Sequence, residues 1–171
     1  MKRSIFLDRD GVLIRIKKQN NKPYSVDNFD KVSIIYETKK TLKKLKKDFL
    51  LIMVTNQPNV SRGLISRSEV IKTNNFIKKK FDLDDIYCCF HDDKHNCECR
   101  KPKAGMLIKA KKKWGINLKK SILVGDRKKD IDAGKKVGCK NFFIDYNYDE
   151  TKPSKNNCTY IKSFKEIEKY I

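Results

Sequence analysis

The sequence predicts an α/β fold: one doubly wound, Rossmann-like parallel sheet of about five strands with helices on both faces. Short buried apolar runs alternate along the chain with longer segments whose apolar residues recur at helical spacing. The 171 residues suffice for one domain with a full core, and no linker interrupts them. We therefore expect residues 1–171 to form a single domain.

The predicted elements alternate along the chain. Strands are expected at the apolar runs 4–7, 49–54, 85–90, 121–124 and 141–144. Helical spacing predicts helices over residues 35–47, 66–80, 104–114, 130–137 and 164–171. Ser66 with Glu69 fits a capping box at the start of the second helix. Residues 15–28 leave room for a minimal cap only, and the polar residues 147–157 are expected to form a loose surface connection.

The net charge of +20 raises the question of nucleic-acid binding. Only seven of the 41 basic residues are Arg, and Lys is spread over nearly every segment beside abundant Asn and Ile. This pattern is typical of a bias in codon usage, so we expect a solvated Lys-rich surface and no nucleic-acid partner. A functional surface for polyanions is the alternative, although the sequence shows no aromatic-and-basic strand for stacking bases.

The apolar runs are too short to span a membrane, and the first residues enter a predicted strand instead of a signal peptide. The protein is expected to be cytoplasmic, monomeric and without a membrane partner.

Four soft metal ligands lie within eleven positions: Cys89, His91, Cys97 and Cys99. Three thiolates and one imidazole form a closed tetrahedral set for structural zinc, so we expect a zinc-binding loop at about residues 88–102. A redox cluster is the alternative function, and His95 is the alternative imidazole ligand. The neighbouring Cys88 is expected to point away from the cluster, because successive strand residues face opposite sides.

Polar side chains follow three of the predicted strands. Asp8 and Asp10 come after the first strand, Thr55 and Asn56 end the second, and Asp126 follows the fourth with Asp130 four positions later. Ligands of open α/β sheets bind outside the carboxyl ends of the strands, so these residues are expected to converge on one site. For Asp130 the alternative is an acidic residue that stabilises a helix N-terminus.

The order of these motifs resembles the haloacid dehalogenase superfamily of phosphatases over nearly the whole chain. The residues that carry the resemblance are Asp8-x-Asp10-Gly11, Thr55, Lys101 before Pro102, and Gly125-Asp126-x-x-x-Asp130. The Cys-x-His and Cys-x-Cys-Arg-Lys-Pro segments resemble the zinc-carrying branch of that superfamily, which includes heptose bisphosphate and histidinol phosphatases.

The resemblance implies a mechanism for phosphomonoester hydrolysis through an aspartyl phosphate. Asp8 would be the nucleophile, and Asp10 would protonate the leaving oxygen and later activate water. Asp8, Asp126 and the backbone carbonyl of Asp10 would hold a catalytic Mg²⁺, an ion that prefers oxygen ligands. The remaining site residues would contact the phosphoryl group or support those that do: Thr55, Asn56, Lys101 and Asp130.

The expected substrate is a small phosphorylated sugar. Residues 55–63, Thr-Asn-Gln-Pro-Asn-Val-Ser-Arg-Gly, resemble the heptose branch except at Pro58-Asn59-Val60. Arg62 and Arg100 are expected to be free cations that clasp a second phosphate, which favours release of the 7-phosphate from a heptose 1,7-bisphosphate. The alternatives are a histidinol-phosphate phosphatase, a polynucleotide 3′-phosphatase and a zinc-stabilised binding module without catalysis.

Overall fold

A computed structural model describes residues 1–26 and 28–171. Its strands are β1 (Ser4–Leu7), β2 (Lys17–Gln19), β3 (Lys22–Tyr24), β4 (Leu50–Asn56), β5 (Asp85–Cys89), β6 (Ile122–Gly125), β7 (Lys140–Ile144) and β8 (Thr159–Ile161). Its α-helices are α1 (Tyr36–Leu45), α2 (Arg67–Phe81), α3 (Gly105–Trp114) and α4 (Lys128–Lys136). Six strands form a parallel sheet in the order β5-β4-β1-β6-β7-β8, which confirms the predicted fold class.

Alternation along the central strands divides the core between the two faces of the sheet. Leu51 and Met53 of β4 pack into the cluster that holds Leu42 of α1 and Ile77 of α2. The intervening strand residues face the other cluster, which holds Leu107 and Ala110 of α3 and Ile131 of α4. Successive strand side chains point to opposite faces, so one short apolar run supplies both layers.

The start of α2 follows the predicted signal in part. Ser66 is the N-cap, and its hydroxyl accepts a hydrogen bond from the Glu69 N–H at 3.1 Å. The Glu69 carboxylate does not complete a capping box, because it accepts from the N–H of Phe29 instead at 3.2 Å. The acidic residue therefore connects α2 to the segment before α1.

The segment between β1 and α1 contains a hairpin that the sequence analysis did not predict. The antiparallel strands β2 and β3 pair Lys17 with Tyr24, and the two-residue turn between them is Asn20-Asn21. Both turn residues have positive φ, 48° and 57°, a conformation that Asn tolerates and that matches tight hairpin turns. The predicted minimal cap is thus a small hairpin; Asp27, within the predicted segment 15–28, lies outside the described residues.

The C-terminal third differs from the prediction in two places. β8 adds a sixth strand at the sheet edge, where three half-exposed or buried residues gave no clear apolar run. The segment predicted as a final helix forms a 3₁₀ helix over Phe164–Lys169, with Phe164 and Ile167 buried. Within the part of the chain that is described, no helix is long and apolar enough to cross a membrane.

Candidate active site

The carboxyl ends of the central strands bring three carboxylates together. Asp8 follows β1, Asp126 follows β6, and Asp130 lies in the first turn of α4. One oxygen from each carboxylate lies within 4.8 Å of the others, and all three residues are buried. The structure therefore joins residues that are far apart in sequence, as the position of the strand ends predicted.

Two glycines allow this close approach. Gly11 has φ of +81°, and a Cβ atom built there would overlap the carboxylate of Asp126. A Cβ atom on Gly125 would likewise overlap the side chain of Asp130. Larger residues at either position would push the carboxylates apart.

Lys101 lies at the bottom of the site and is 2% exposed. Its Nζ atom lies 2.8 Å from Oδ1 of Asp8 and 2.5 Å from Oδ1 of Asp130, and it donates to the Val54 carbonyl at 2.9 Å. The Asn56 amide holds the backbone of Lys101 through two hydrogen bonds of 3.0 and 3.1 Å. Asn56 therefore positions Lys101, besides facing the site itself.

Burial and mutual repulsion disfavour ionisation of the carboxylates. Burial, followed by repulsion from Asp130, raises the pKa of Asp8 to about 6, although Lys101 opposes the rise. Burial and the charges of Asp8 and Asp130 raise the pKa of Asp126 well above its usual range. Burial works against the charge on Lys101, but Asp130 and Asp8 outweigh it and raise the pKa of Lys101. One ammonium group thus faces three buried carboxylates, an arrangement that a divalent cation would stabilise.

The donor atoms fit a hard divalent cation such as Mg²⁺. Oδ1 of Asp126 is buried and has no hydrogen-bond partner among the described residues. Its other oxygen accepts a hydrogen bond from the Tyr148 hydroxyl at 2.7 Å, which orients the carboxylate. An all-oxygen cluster suits Mg²⁺, whose protein ligands are mostly carboxylates. The cluster contains Asp130 and not the Asp10 carboxylate; a contribution from the Asp10 carbonyl stays a prediction.

The Asp10 carboxylate is held by donors from three neighbouring segments. It accepts hydrogen bonds from Nε and Nη2 of Arg9 at 3.1 and 3.3 Å, from Gln57 at 2.9 Å and from Ser25 at 3.3 Å. Arg9 is 1% exposed, so this guanidinium is an internal support. Gln57 also donates to the Thr55 hydroxyl at 3.0 Å. The sequence analysis did not predict that Arg9 and Gln57 support Asp10, because neither residue stands out until its burial is known.

An open cleft lies above these groups. The carboxylates and Lys101 form its floor, and four residues around the β2–β3 hairpin form one wall: Ile16, Pro23, Tyr24 and Ser25. Its other lining residues are Asn56, Pro58, Arg127 and Lys129. We call this space the active-site cleft. Asn56 and Lys101, which were predicted to bind phosphate, line the active-site cleft. Thr55, which was also predicted to bind phosphate, is buried beside the cleft.

Arg62 and Arg100 are not free, so that part of the sequence interpretation is wrong. Arg62 forms a two-point ion pair with Asp92, with Nε and Nη2 at 2.6 and 2.8 Å from the carboxylate. Arg100 is 7% exposed and makes the equivalent pair with Asp93 at 2.7 and 3.1 Å. Both acidic residues lie in the cysteine loop, so the two arginines brace that loop. A role of either in phosphate binding stays a prediction.

The cysteine loop assembles the four predicted zinc ligands: Cys89, His91, Cys97 and Cys99. Their sulfur–sulfur distances are 3.2 to 3.6 Å, and Nδ1 of His91 lies 3.4 and 3.7 Å from two of the sulfurs. A tetrahedral site with bonds near 2.3 Å has sulfur–sulfur edges of about 3.8 Å, whereas a disulfide is about 2.05 Å long. The arrangement therefore fits one zinc ion.

Two further side chains of the loop region lie outside this cluster. Nδ1 of His95 accepts a hydrogen bond from the Asp92 N–H at 3.1 Å and supports a turn instead. Cys88 points to the opposite face of the sheet from Cys89, where Arg9 and Asn74 are its neighbours. This orientation agrees with the predicted alternation of strand residues. His91, and not His95, is therefore the histidine of the loop that is placed to bind a metal.

Comparison with known proteins agrees with this geometry. Residues 3–160 match the family described as polynucleotide kinase 3 phosphatase. The chain is 38% identical over 137 residues to the D-glycero-alpha-D-manno-heptose-1,7-bisphosphate 7-phosphatase of Campylobacter jejuni, covering 77% of this chain and 76% of the relative. The chain belongs to the haloacid dehalogenase superfamily of phosphatases. The superfamily predicted from the motifs is thus confirmed.

Other phosphatases of this superfamily resemble the chain in sequence or fold. It is 35% identical over 151 residues to the beta-anomer enzyme of Haemophilus influenzae, covering 82% of this chain and 78% of the relative. A crystal structure of the D,D-heptose 1,7-bisphosphate phosphatase of B. bronchiseptica with magnesium and phosphate superposes with a TM-score of 0.79. Identity there is 21%, over 99% of this chain and 97% of the other, so this likeness speaks for the fold.

Two more residues of this phosphatase escaped the sequence analysis. Tyr148 is buried and holds Asp126, although it lies in the connection predicted to be loose. Lys129 faces the active-site cleft from the first turn of α4, within a run of three basic residues that looked like solvated surface. The only advance signal for Tyr148 was an aromatic residue in a polar segment.

Proposed function

We propose that this phosphatase hydrolyses the 7-phosphate of D-glycero-D-manno-heptose 1,7-bisphosphate. The observation that carries the chemistry is the Asp8 carboxylate, which lies on the floor of the cleft beside Lys101 and two further carboxylates. The substrate is inferred from the two sequence relatives named for this bisphosphate. They are named for different anomers, so the proposal covers the sugar bisphosphate without assigning one.

The reaction proceeds in two steps on Asp8. Its carboxylate attacks phosphorus, a new O–P bond forms, and the bond to the sugar oxygen breaks. Water then attacks the aspartyl phosphate, which releases phosphate and restores Asp8. Lys101 is already 2.8 Å from Asp8, so its charge is in place to stabilise the oxygens of the transferred phosphoryl group.

Asp10 moves the proton in both steps. Protonated Asp10 donates to the leaving sugar oxygen, and the resulting carboxylate then accepts a proton from the attacking water. Among the described residues, the Asp10 carboxylate accepts hydrogen bonds from Arg9, Gln57 and Ser25. These contacts suit the ionised form that serves as the base in the second step.

Two metal ions have separate places in this proposal. Asp8 and Asp126, together with the Asp10 carbonyl, would hold Mg²⁺, and Asp130 would fix Lys101 beside it. When bound, Mg²⁺ neutralises charge on the phosphoryl oxygens. Zinc at the cysteine loop would be structural, because its four protein ligands leave no position open.

The walls of the cleft suit a sugar. Ile16, Pro23 and Tyr24 offer apolar surface on the hairpin side, where the C–H groups of a sugar can pack. Arg127 and Lys129 lie among the other lining residues and provide positive charge. A small polar substrate with an anionic end would match both kinds of surface.

A polynucleotide 3′-phosphatase is the second candidate. The name of the matching family and the net charge of +20 favour it. The same catalytic groups would serve either substrate, so the site chemistry does not separate them. Extended nucleic-acid binding would require a basic surface that continues beyond the cleft.

A phosphate-release comparison would test the assignment. Purified protein with Mg²⁺ would be given both anomers of the heptose 1,7-bisphosphate, histidinol phosphate and a 3′-phosphorylated oligonucleotide, and kcat/KM would be measured for each. We expect the heptose bisphosphate to exceed the others by at least about 100-fold, or about 2.7 kcal/mol. Preference for histidinol phosphate would contradict the substrate assignment. Preference for the oligonucleotide with steep salt dependence would support the second candidate instead.

A further inference from the structure

The connection between β7 and β8 begins with a segment that reaches back to the active site. We call residues 145–150 the strap. The Tyr146 hydroxyl donates a hydrogen bond to the carbonyl of Gly11 at 2.8 Å, and the Tyr148 hydroxyl donates to Oδ2 of Asp126 at 2.7 Å. The two tyrosines of the strap therefore contact the loop after β1 and the loop after β6, which both carry carboxylates of the site.

The β2–β3 hairpin fixes the strap through its backbone. Lys18 of β2 donates from its ammonium group to the Tyr146 carbonyl at 2.8 Å. The turn residue Asn21 makes two hydrogen bonds to the strap. Its side-chain amide donates to the Asn147 carbonyl at 2.8 Å, and its own carbonyl accepts from the Asp149 N–H at 2.9 Å. The hairpin thus limits how far the strap can move from the site.

The ring of Tyr148 is also held in place. Tyr148 is 8% exposed, and its ring stacks on the ring of Tyr146 with the centroids 5.7 Å apart. The ammonium group of Lys18 lies 5.5 Å from the centroid of the Tyr148 ring. At the end of the strap, Glu150 accepts a hydrogen bond from Nε of Arg127 at 2.8 Å. The hydroxyl of Tyr148 therefore has a fixed position beside the carboxylate cluster.

The two oxygens of the Asp126 carboxylate have different surroundings. Oδ2 accepts the hydrogen bond from Tyr148 and lies against Gly11, where a Cβ atom would overlap it. Oδ1 is buried and has no hydrogen-bond partner among the described residues. A buried polar atom without a partner is costly, so Oδ1 is the oxygen left for a cation. The contact with Tyr148 thus decides which oxygen of Asp126 is available.

We infer that Tyr148 is a positioning residue that sets the affinity of the carboxylate cluster for Mg²⁺. Its hydroxyl holds Oδ2 of Asp126 and leaves Oδ1 for the ion; without the hydroxyl, the carboxylate is freer to rotate. Hydrogen bonds that orient a metal ligand typically change metal affinity by about 10–100-fold when they are lost. The inference rests on the Mg²⁺ site of the proposed function, but it does not depend on which phosphate ester is the substrate.

Two tyrosine variants would test this role. Tyr148→Phe removes the hydroxyl and keeps the stacked ring. Tyr160→Phe is the matched control, because the Tyr160 hydroxyl donates to the Pro153 carbonyl at 2.6 Å and Tyr160 does not line the active-site cleft. The Mg²⁺ dissociation constants of wild type and both variants would be measured by titration calorimetry without substrate. Thermal unfolding of the metal-free proteins would show that each variant is folded.

The expected result is weaker Mg²⁺ binding in one variant only. Tyr148→Phe should raise the Mg²⁺ dissociation constant by about 10–100-fold, and Tyr160→Phe should leave it unchanged. With p-nitrophenyl phosphate as substrate, Tyr148→Phe should need correspondingly more Mg²⁺ for activation and should recover most of its kcat at saturation. Unchanged or tighter Mg²⁺ binding in Tyr148→Phe would overturn the inference, even if Tm falls. An equal loss in Tyr160→Phe would overturn it as well.

Failure of this inference can be distinguished from failure of the proposed function. If wild type binds Mg²⁺ but does not hydrolyse the heptose bisphosphate, the proposed substrate is wrong, and the dissociation constants still test Tyr148. If wild type hydrolyses the heptose bisphosphate and Tyr148→Phe binds Mg²⁺ as wild type does, the inference alone is wrong. Wild type without measurable Mg²⁺ binding would overturn both the proposed Mg²⁺ site and the role of Tyr148.

Discussion

The carboxylate cluster and the cysteine cluster are assembled by different means. Asp8, Asp126 and Asp130 come from distant parts of the chain and meet because β1 and β6 are neighbours in the sheet. The four cysteine-loop ligands come from residues 89–99, and the loop between them is polar and largely exposed. The first cluster depends on the fold, whereas the loop that carries the second is expected to depend on a bound metal. A change in either cluster should therefore show in different measurements.

The largest expected effect is on activity and comes from the carboxylate cluster. Asp8→Asn removes the nucleophile and should lower kcat by more than about 10⁴-fold, as loss of a nucleophile does in other enzymes. The variant should remain folded, since it removes one of three mutually repelling charges from a buried site. Steady-state kinetics and thermal unfolding would measure both effects, with Asp132→Asn as the control outside the cluster. Wild-type turnover in Asp8→Asn would refute the mechanism.

Asp10→Asn should have the next largest effect, and one that depends on the leaving group. Without a proton donor, turnover of a sugar phosphate should fall by about 10²–10⁴-fold. p-Nitrophenyl phosphate should lose much less, because p-nitrophenolate leaves without protonation. The ratio of kcat for the two substrates is the measurement. Equal losses on both would mean that Asp10 supports the site structurally, together with Arg9 and Gln57.

A change in the cysteine cluster should lower stability more than it changes the chemistry. Cys97→Ser should lose zinc and cost about 3 kcal/mol or more in the free energy of unfolding, or roughly 6–12 °C in Tm. Cys158→Ser lies outside the cluster and should shift Tm by no more than about 2 °C. Calorimetry and metal analysis of both variants would test this. An unchanged Tm in zinc-free Cys97→Ser would show that the loop does not need its metal.

The response to Mg²⁺ should depend on pH. In the metal-free protein the pKa of Asp8 is raised from 3.8 to about 6, so the native state binds more protons than the unfolded state between these values. Stability contributed by this group is therefore present below about pH 4 and is lost as pH rises through about 6. Mg²⁺ competes with those protons and should stabilise the protein more at about pH 7.5 than at about pH 5.

The expected size of this effect is modest. At 100 times its dissociation constant, Mg²⁺ should add about 2.7 kcal/mol at the higher pH, or roughly 5–10 °C in Tm. Asp126→Asn should abolish most of this gain, because it weakens the proposed metal ligand. Thermal unfolding with and without Mg²⁺ at both pH values would measure it. An equal gain at both pH values would contradict the picture of a proton-sensitive carboxylate site.

The same difference between the two clusters explains which parts of the fold and of the site could be predicted from the sequence. The carboxylates were predictable because they directly follow apolar runs, and the cysteine ligands because their spacing is local. The hairpin and β8 were missed because their three-residue strands contain polar or half-exposed residues. The supporting contacts were harder still: Tyr148 reaches Asp126 across 22 positions, and Gln57 reaches Asp10 across 47. Such hydrogen bonds depend on how the loops pack against the folded sheet, which local sequence patterns do not reveal.

Arg62 and Arg100 show a second limit. Both follow chemically suggestive motifs, but each has an acidic partner in the cysteine loop, and the spacing of 30 and 7 residues did not reveal the pairs. Lys129 was missed for the opposite reason. A lysine in a lysine-rich chain does not stand out until its position in the cleft is known. The acidic partners therefore show that neither arginine is free, whereas a role of either in phosphate binding stays a prediction.

The most direct test of the division between the two clusters is to count both metals in one sample. Wild-type protein would be treated briefly with a mild chelator, and the zinc content, Mg²⁺ content and phosphatase activity would be measured together before and after Mg²⁺ is returned. The account predicts one zinc per chain throughout, loss of activity when Mg²⁺ is removed, and full recovery with Mg²⁺ alone. Full activity after verified removal of Mg²⁺, or activity that follows the zinc content, would contradict it.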